Sequence, residues 1–419
     1  MKLISEDEPV AFPSEEARRS IETSVFELLS DLCALSKSKR AVVAAEQCDD
    51  CIAHAAHVVS SLVEKVAIEG EIEEAVDGGE ADAAEEEETD VAEEEDDETE
   101  EKDEEEPVEA SAPAITYEYK VKSQGSSLEL ESAALAFLAR VVGVEKCRLQ
   151  LFSESEFMPS LKSLAKDCTS FKLQMQTTTF LANVAPYAKK AESDGTLSTA
   201  DIAEAFTAVV KLTPTVKSTK GPATENVNSL KTVATKGLGV VLNDTRAELQ
   251  TAAMEAVGST FSSLVKKHTT ARTASSVQEK ANSALLAYNL SSLLVRSTGN
   301  DMLWPCLSGA DLTKSMVHLV EWRYDTKTVI KGEDQVYWDA AVSNCIQHLS
   351  HVICATEERH VSLGVSIKSM VGTVLMLARP GKAPRKTADF PTSLKRAVEA
   401  KLDAASVLAA ESILGRILD

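Results

Sequence analysis

The stretch EFMPSLKSLAKDCTSFKLQMQTTTFLANVAPYAKK, Glu156 to Lys190, reads as two amphipathic helices in tandem with a short break between them. In the first, Phe157, Leu161, Leu164 and Ala165 recur at helical spacing; in the second, Leu173, Thr177, Phe180, Val184 and Ala188 do the same. A single pair of this kind cannot bury its own apolar stripes, so each needs a neighbour. The design returns along the chain with little sequence identity, which is the signature of a stacked helical array.

Working outward, the chain opens with a predicted helix from about Ser14 to Leu35, striped by Ile21, Val25, Leu28, Leu29 and Leu32. A second is predicted from about Lys39 to Ile68, with Ile52, Ala56, Val59, Leu62, Val63 and Val66 on one face, so that the two form an antiparallel pair. Ile115 to Val121 alternates as ITYEYKV, compatible with a short strand or an extended lead-in, and we expect the lead-in. A helix follows from about Ser127 to Val142. Beyond the opening stretch, Ile202, Phe206, Val209 and Val210 mark one helix and Val227, Leu230, Ala234, Leu238 and Val241 its partner. Leu249 to Leu264 precedes a helix carrying Leu286, Leu290 and Leu293, and Leu312 to Val320 precedes one carrying Val342, Ile346, Leu349 and Ile353. Leu363, Ile367, Met370, Val371 and Val374 mark another, and Leu394, Val398, Leu402 and Ala405 a single C-terminal helix. Second helices recur roughly every 50 to 60 residues, longer than the roughly 40 to 47 usual for stacked units of this size.

Two units carry a family likeness. The segment Met158 to Ala185 resembles an armadillo or HEAT unit, in which an apolar helix meets a second helix of the type AxxxLxNxA, here Thr177 to Ala185. Leu249 to Val265, LQTAAMEAVGSTFSSLV, is similar. The likeness extends over roughly Leu128 to Leu414. It implies an all-α solenoid of stacked antiparallel helix pairs that binds extended peptides or protein surfaces. Talin-like or vinculin-like helical bundles, also rich in Ala, Ser and Thr, are the alternative fold.

Composition supports an all-α body, since aromatics are only 5% of 419 residues and small side chains let helices approach closely. The charge is concentrated. Residues 71–106 hold 23 Asp or Glu against Lys102 alone, so this segment accounts for −22 of the net −24. With almost no large apolar side chains it cannot offset its ordering entropy, and we expect an acidic disordered insertion at 70–112 between an N-terminal helical pair (1–69) and a repeat body (113–419). Such a segment either solvates the chain or holds basic clients. The near-neutral remainder disfavours nucleic acid as a partner. Eight dispersed cysteines read as reduced thiols, and no signal sequence or long apolar run is present. The expected location is cytoplasmic, with nuclear entry open through the basic stretch Ala378 to Lys386.

Three constellations bear on chemistry. Cys48, Cys51, His54 and His57, and again Cys345, His348, His351 and Cys354, offer a zinc-type ligand every third residue. On a helix such positions sweep through about 180°, so first and last point apart, and we expect core cysteines and surface histidines instead. KAESDGTLSTADIAEAF, Lys190 to Phe206, resembles the latter half of a calcium-binding EF-hand loop through Asp194, Gly195, Thr196, Leu197, Ser198 and Asp201, but with Lys190 where the first carboxylate belongs and Asp201 where a Glu is usual. A Gly turn with Ser198 as helix cap is the expected reading. Trp304, Trp322, Tyr324, Tyr337 and Trp338 gather all three tryptophans within one short segment. Trp338 shares the face of Val342, Cys345 and Leu349 and is expected in the core, leaving Trp304, Trp322 and Tyr324 as candidate partner-binding residues. No Walker loop, GxGxxG, GxSxG or HExxH occurs. The expectation is therefore a non-enzymatic protein-binding scaffold or adaptor without cofactor or metal. The alternative is an acidic chaperone or transport factor for basic, histone-like or ribosomal clients.

Overall fold

A computed structural model describes residues 14–35, 49–68, 116–122, 128–193, 198–213, 224–270, 277–324, 334–355, 390–400 and 402–418. They form fifteen α-helices: α1 (Glu15–Leu35), α2 (Asp49–Ser60), α3 (Glu129–Val141), α4 (Glu145–Ser153), α5 (Phe157–Asp167), α6 (Phe171–Ser193), α7 (Thr199–Lys211), α8 (Thr224–Val241), α9 (Ala247–Thr270), α10 (Val277–Ser297), α11 (Trp304–Leu307), α12 (Ala310–Tyr324), α13 (Asp334–Ile353), α14 (Phe390–Glu399) and α15 (Ala404–Leu418). Two strands, β1 (Val63–Ile68) and β2 (Thr116–Val121), pair as a two-stranded sheet. The chain divides into a larger unit, residues 1–64 and 120–419, and a smaller one, residues 65–119. In the smaller unit the Lys65 ammonium lies 4.3 Å from the centre of the Tyr117 ring.

The larger unit is a stack of two layers. One runs α1, α3, α6, α8, α10, α13, α15, each helix packed on the next; the other runs α2, α5, α7, α9, α12, α14 in the same way. Antiparallel pairs α5/α6, α7/α8, α9/α10, α12/α13 and α14/α15 join the layers, so the pairs continue into one stack instead of closing into separate bundles. The opening stretch behaves as its period demands. Phe157, Leu161, Leu164, Ala165, Thr177, Phe180, Val184 and Ala188 are all 0% exposed, and the Phe157 and Phe180 rings meet edge-on at 5.8 Å. The helices α6, α8, α10 and α13 begin at residues 171, 224, 277 and 334, so successive starts lie 53, 53 and 57 residues apart.

Polar rungs fix the register of that first layer. Asn228 Nδ2 donates to Ser283 Oγ (3.0 Å), Asn282 Nδ2 to Ser229 Oγ (2.9 Å), Asn344 Nδ2 to Ser291 Oγ (3.1 Å) and Gln347 Nε2 to Ser406 Oγ (2.9 Å). Each joins a helix to the equivalent helix of the next pair. Unpaired, these amides and hydroxyls would carry a desolvation cost, so the rungs penalise any slip of one unit along another.

Several sequence expectations are corrected. The helix predicted from Lys39 to Ile68 is, among its described residues, helix only to Ser60; Val63–Ile68 is β1, because VEKVAI also alternates and Thr116–Val121 supplies a partner strand. Within ITYEYKV, Thr116–Val121 is accordingly a strand rather than a lead-in. The single C-terminal helix is two, broken where Asp403 Oδ1 accepts the Ser406 N–H at 3.0 Å and caps α15. Of the predicted α1 stripe only Leu29 is buried: the buried face is Phe26, Leu29 and Cys33, whereas Ile21, Leu28 and Leu32 are exposed and Val25 is half-buried. The N-terminal helices α1 and α2 both pack on α3. The acidic run 71–106, the predicted helix Leu363 to Val374 and the basic stretch Ala378 to Lys386 lie outside the described residues. Among the described residues no helix is long and apolar enough to cross a membrane.

One close approach yields a stability test. A Cβ built on Gly237 of α8 would collide with the ring of Phe206 of α7, which is itself fully buried and has nowhere to retreat. Gly237→Ala should therefore destabilise by about 1 to 3 kcal/mol although alanine is the better helix former. Denaturant titration checks it, and adding Phe206→Leu should recover part of the loss, because the two changes share one contact.

A candidate protein-binding groove

The two layers differ in how they close. Where the polar rungs span the first layer, the second leaves troughs, because the side chains lining adjacent helices are too small to meet. Between α9 and α12 the floor is Met254, Gly258, Val265 and Leu312, with Gly258 so placed that a Cβ there would lie 3.7 Å from Leu312 Cδ2. Ser259, Ser262, Ser263 and Lys266 form one wall and Asp311, Lys314, Ser315 and His318 the other, enclosing about 840 Å³. A smaller trough of about 530 Å³ lies one unit back, lined by Lys166, Glu204, Thr207, Lys211 and Leu249. The larger groove carries Glu255 and Asp311 against Lys266 and Lys314, so its charges balance, and its hydroxyls offer both donors and acceptors.

Register extends the groove to one of the candidate residues. Asp311, Ser315 and His318 on α12 are followed, at the same helical spacing, by Trp322, which is half-buried. Its ring meets Trp338 of α13 edge-on at 5.2 Å, and Trp338, 3% exposed, lies 5.2 Å from the His268 ring of α9. Helical register thus sets this three-helix aromatic cluster about one turn beyond His318. Tyr324 lies on another side of α12: its carbonyl accepts a 2.8 Å hydrogen bond from Arg396 Nη1 of α14, and burial, with Asp339 adding to it, pushes its hydroxyl up to about 12. Trp304 is 0% exposed and packs with Val352, so it is a core side chain and presents no surface to a partner.

The described members of the two metal-like constellations lie on different faces of their helices. Cys345 is buried and His351 exposed as expected, but His348 is buried and Cys354 exposed, a correction to the reading of core cysteines and surface histidines: the helical sweep sorts them by position and not by residue type. Cys51 is buried, His57 is exposed and Cys48 lies outside the described residues. Among the described residues no group of three His, Cys, Asp or Glu is placed to hold a metal ion. In the calcium-like segment, Asp194 to Leu197 lie outside the described residues, Ser198 caps α7 by accepting the Ala200 N–H at 3.1 Å, and Asp201 pairs with Lys162 at 2.8 Å. Cys306, at the groove margin, has its thiol pushed up by burial and by Glu255, which keeps it protonated and a weak nucleophile at neutral pH. The groove itself escaped the sequence reading. Its only trace in the sequence is the Gly258 and Ser262 spacing inside LQTAAMEAVGSTFSSLV, a small-residue face within a repeat-like unit. No protein-family model, no curated protein and no solved structure matches the chain.

Proposed function

We propose that the chain is a non-enzymatic protein-binding scaffold of armadillo/HEAT-like kind, acting in the cytoplasm or nucleus, and that a segment of a partner protein lies in the α9/α12 groove with Trp322 as its anchor. The observation that supports this is helical register: Trp322, half-buried, stands one turn beyond His318, which lines a charge-balanced, hydroxyl-lined trough of about 840 Å³. The trough supplies backbone-compatible hydrogen bonding and the indole an aromatic hot spot, which together suit a neutral amphipathic peptide better than a phosphate or a strongly basic ligand. No cofactor enters this reading. A second reading rests on the segment 71–106, whose 22 excess negative charges suit it to chaperoning basic clients such as histone-like or ribosomal proteins.

Affinity capture with the intact chain, a Ser262→Arg/Ser315→Arg variant and a chain lacking 71–106 separates the two. Groove binding predicts partners that are lost with the arginines, kept without the acidic segment and little affected by salt. Partners lost only with the acidic segment, and released as salt rises, would overturn the groove in favour of the chaperone reading.

A further inference from the structure

The charges that line the α9/α12 groove are sorted along it. Gly258 lies opposite Leu312, and His268 and Trp322 both meet the ring of Trp338, at 5.2 Å each. The two pairs, 258 with 312 and 268 with 322, have the same separation in sequence, so α9 and α12 run parallel and in step. Asp311 and Lys314 of α12 therefore stand level with Val257 and Thr260 of α9. From the end at Cys306, which lies close enough to Glu255 to feel its charge, the order along the walls is Glu255, Asp311, Lys314, Lys266, with Trp322 beyond. Both carboxylates come before both ammoniums.

The helix dipoles do not account for that order. Acidic residues favour the first turn of a helix and basic residues the last. Asp311 sits in the first turn of α12, but Glu255 stands in the third turn of α9, and Lys314 in the second turn of α12, nearer the positive end than the negative. All four side chains are exposed, and among the described residues Glu255, Asp311 and Lys314 form no ion pair. Glu255 and Lys266 are about 16 Å apart along α9, which an extended chain covers in about five residues. A bound segment with a cation and an anion at that separation meets the carboxylates with the first and the ammoniums with the second, whereas the opposite placement sets like on like at both ends.

We propose that the groove takes its segment in one polarity: an extended, zwitterionic stretch whose basic side chain lies between Glu255 and Asp311, whose acidic side chain lies between Lys314 and Lys266, and whose apolar side chain beyond the acidic one meets Trp322. This polarity rests on the groove being a binding site, and it specifies what fills it.

Fluorescence anisotropy with the full chain and two end-blocked peptides of one composition tests it. Both peptides carry a lysine and a glutamate about five residues apart on a serine and valine spacer, with a phenylalanine after the second charge. In one the order is lysine, glutamate, phenylalanine; in the other it is glutamate, lysine, phenylalanine. The first should bind at least about tenfold more tightly at low salt, and the difference should shrink as salt rises. Glu255→Lys/Lys266→Glu, at two exposed positions, should invert the preference with the melting temperature unchanged. Ser262→Arg/Ser315→Arg should abolish binding of both peptides. Equal binding of the two, or a preference for the second, with binding still lost to the arginines, overturns the polarity and leaves the groove standing. No binding of either at about 1 mM, or binding indifferent to the arginines, overturns both.

Discussion

Replacing Trp304 by alanine should cost about 3 to 5 kcal/mol of stability, the largest single-residue loss expected in this chain. Trp304 opens the four-residue helix α11, is 0% exposed and packs on Val352 of α13, while its carbonyl accepts the Ser308 hydroxyl at 2.8 Å. Removing the indole leaves a cavity that the turn between α10 and α12 can close only by moving helices. In a stack, such a loss is felt first by the units sharing the damaged interface. Hydrogen exchange should therefore show α11, α12 and α13 opening early while α5 and α6 stay protected. Trp322→Ala gives the contrast. Its ring is half-buried against Trp338, so it should lower the melting temperature much less while abolishing groove binding. If Trp304→Ala melts like the parent chain, the core assignment of this residue is wrong.

The contrast between the two tryptophans also shows what a sequence can carry. The tandem stretch from Glu156 was legible because two helices each present four or five apolar residues at one period, and only burial of those stripes satisfies both. Trp338 was legible for the same reason, sharing its face with Val342, Cys345 and Leu349. Trp304 sits on a helix too short to have a period, so its residue type alone left core and interface equally open. Val63 and Val66 fit a helical stripe and an alternating strand alike. The pairing that decides between them comes from the far side of the acidic segment, as the 2.9 Å bond from the Lys122 N–H to the Leu62 carbonyl illustrates. The groove was illegible for a different reason: it exists because Gly258, Ser262 and Ser315 fail to fill space, and an absence of volume leaves no mark until the neighbouring helix is placed.

Acid should destabilise the fold through His348. His348 lies on α13, 0% exposed, and its Nε2–H donates to the Leu307 carbonyl oxygen of α11 at 2.8 Å. Since a carbonyl only accepts, the bond holds the neutral ring with its proton on Nε2. Burial is the largest influence on the imidazole and carries its pKa down to about 4, outweighing the upward pull of the Leu307 and Leu294 carbonyls, while His351 adds a smaller downward push. The unfolded chain takes up this proton near pH 6.5 and the folded chain only near 4, so the unfolded state binds more protons in between. Stability contributed by the neutral ring is therefore intact above about pH 6.5 and drains away as pH falls to about 4, by roughly 3 kcal/mol in all. Many carboxylates titrate in the same window, so the measurement must be a difference. Urea unfolding of the parent chain and of His348→Gln, which keeps an N–H for Leu307 but cannot ionise, isolates the histidine. At pH 7.5 the variant should be the less stable, and by pH 4.5 the gap should close or reverse. Parallel pH profiles in the two chains would mean that the ring accepts its proton without penalty, and that the seam joining α11 to α13 is open to water.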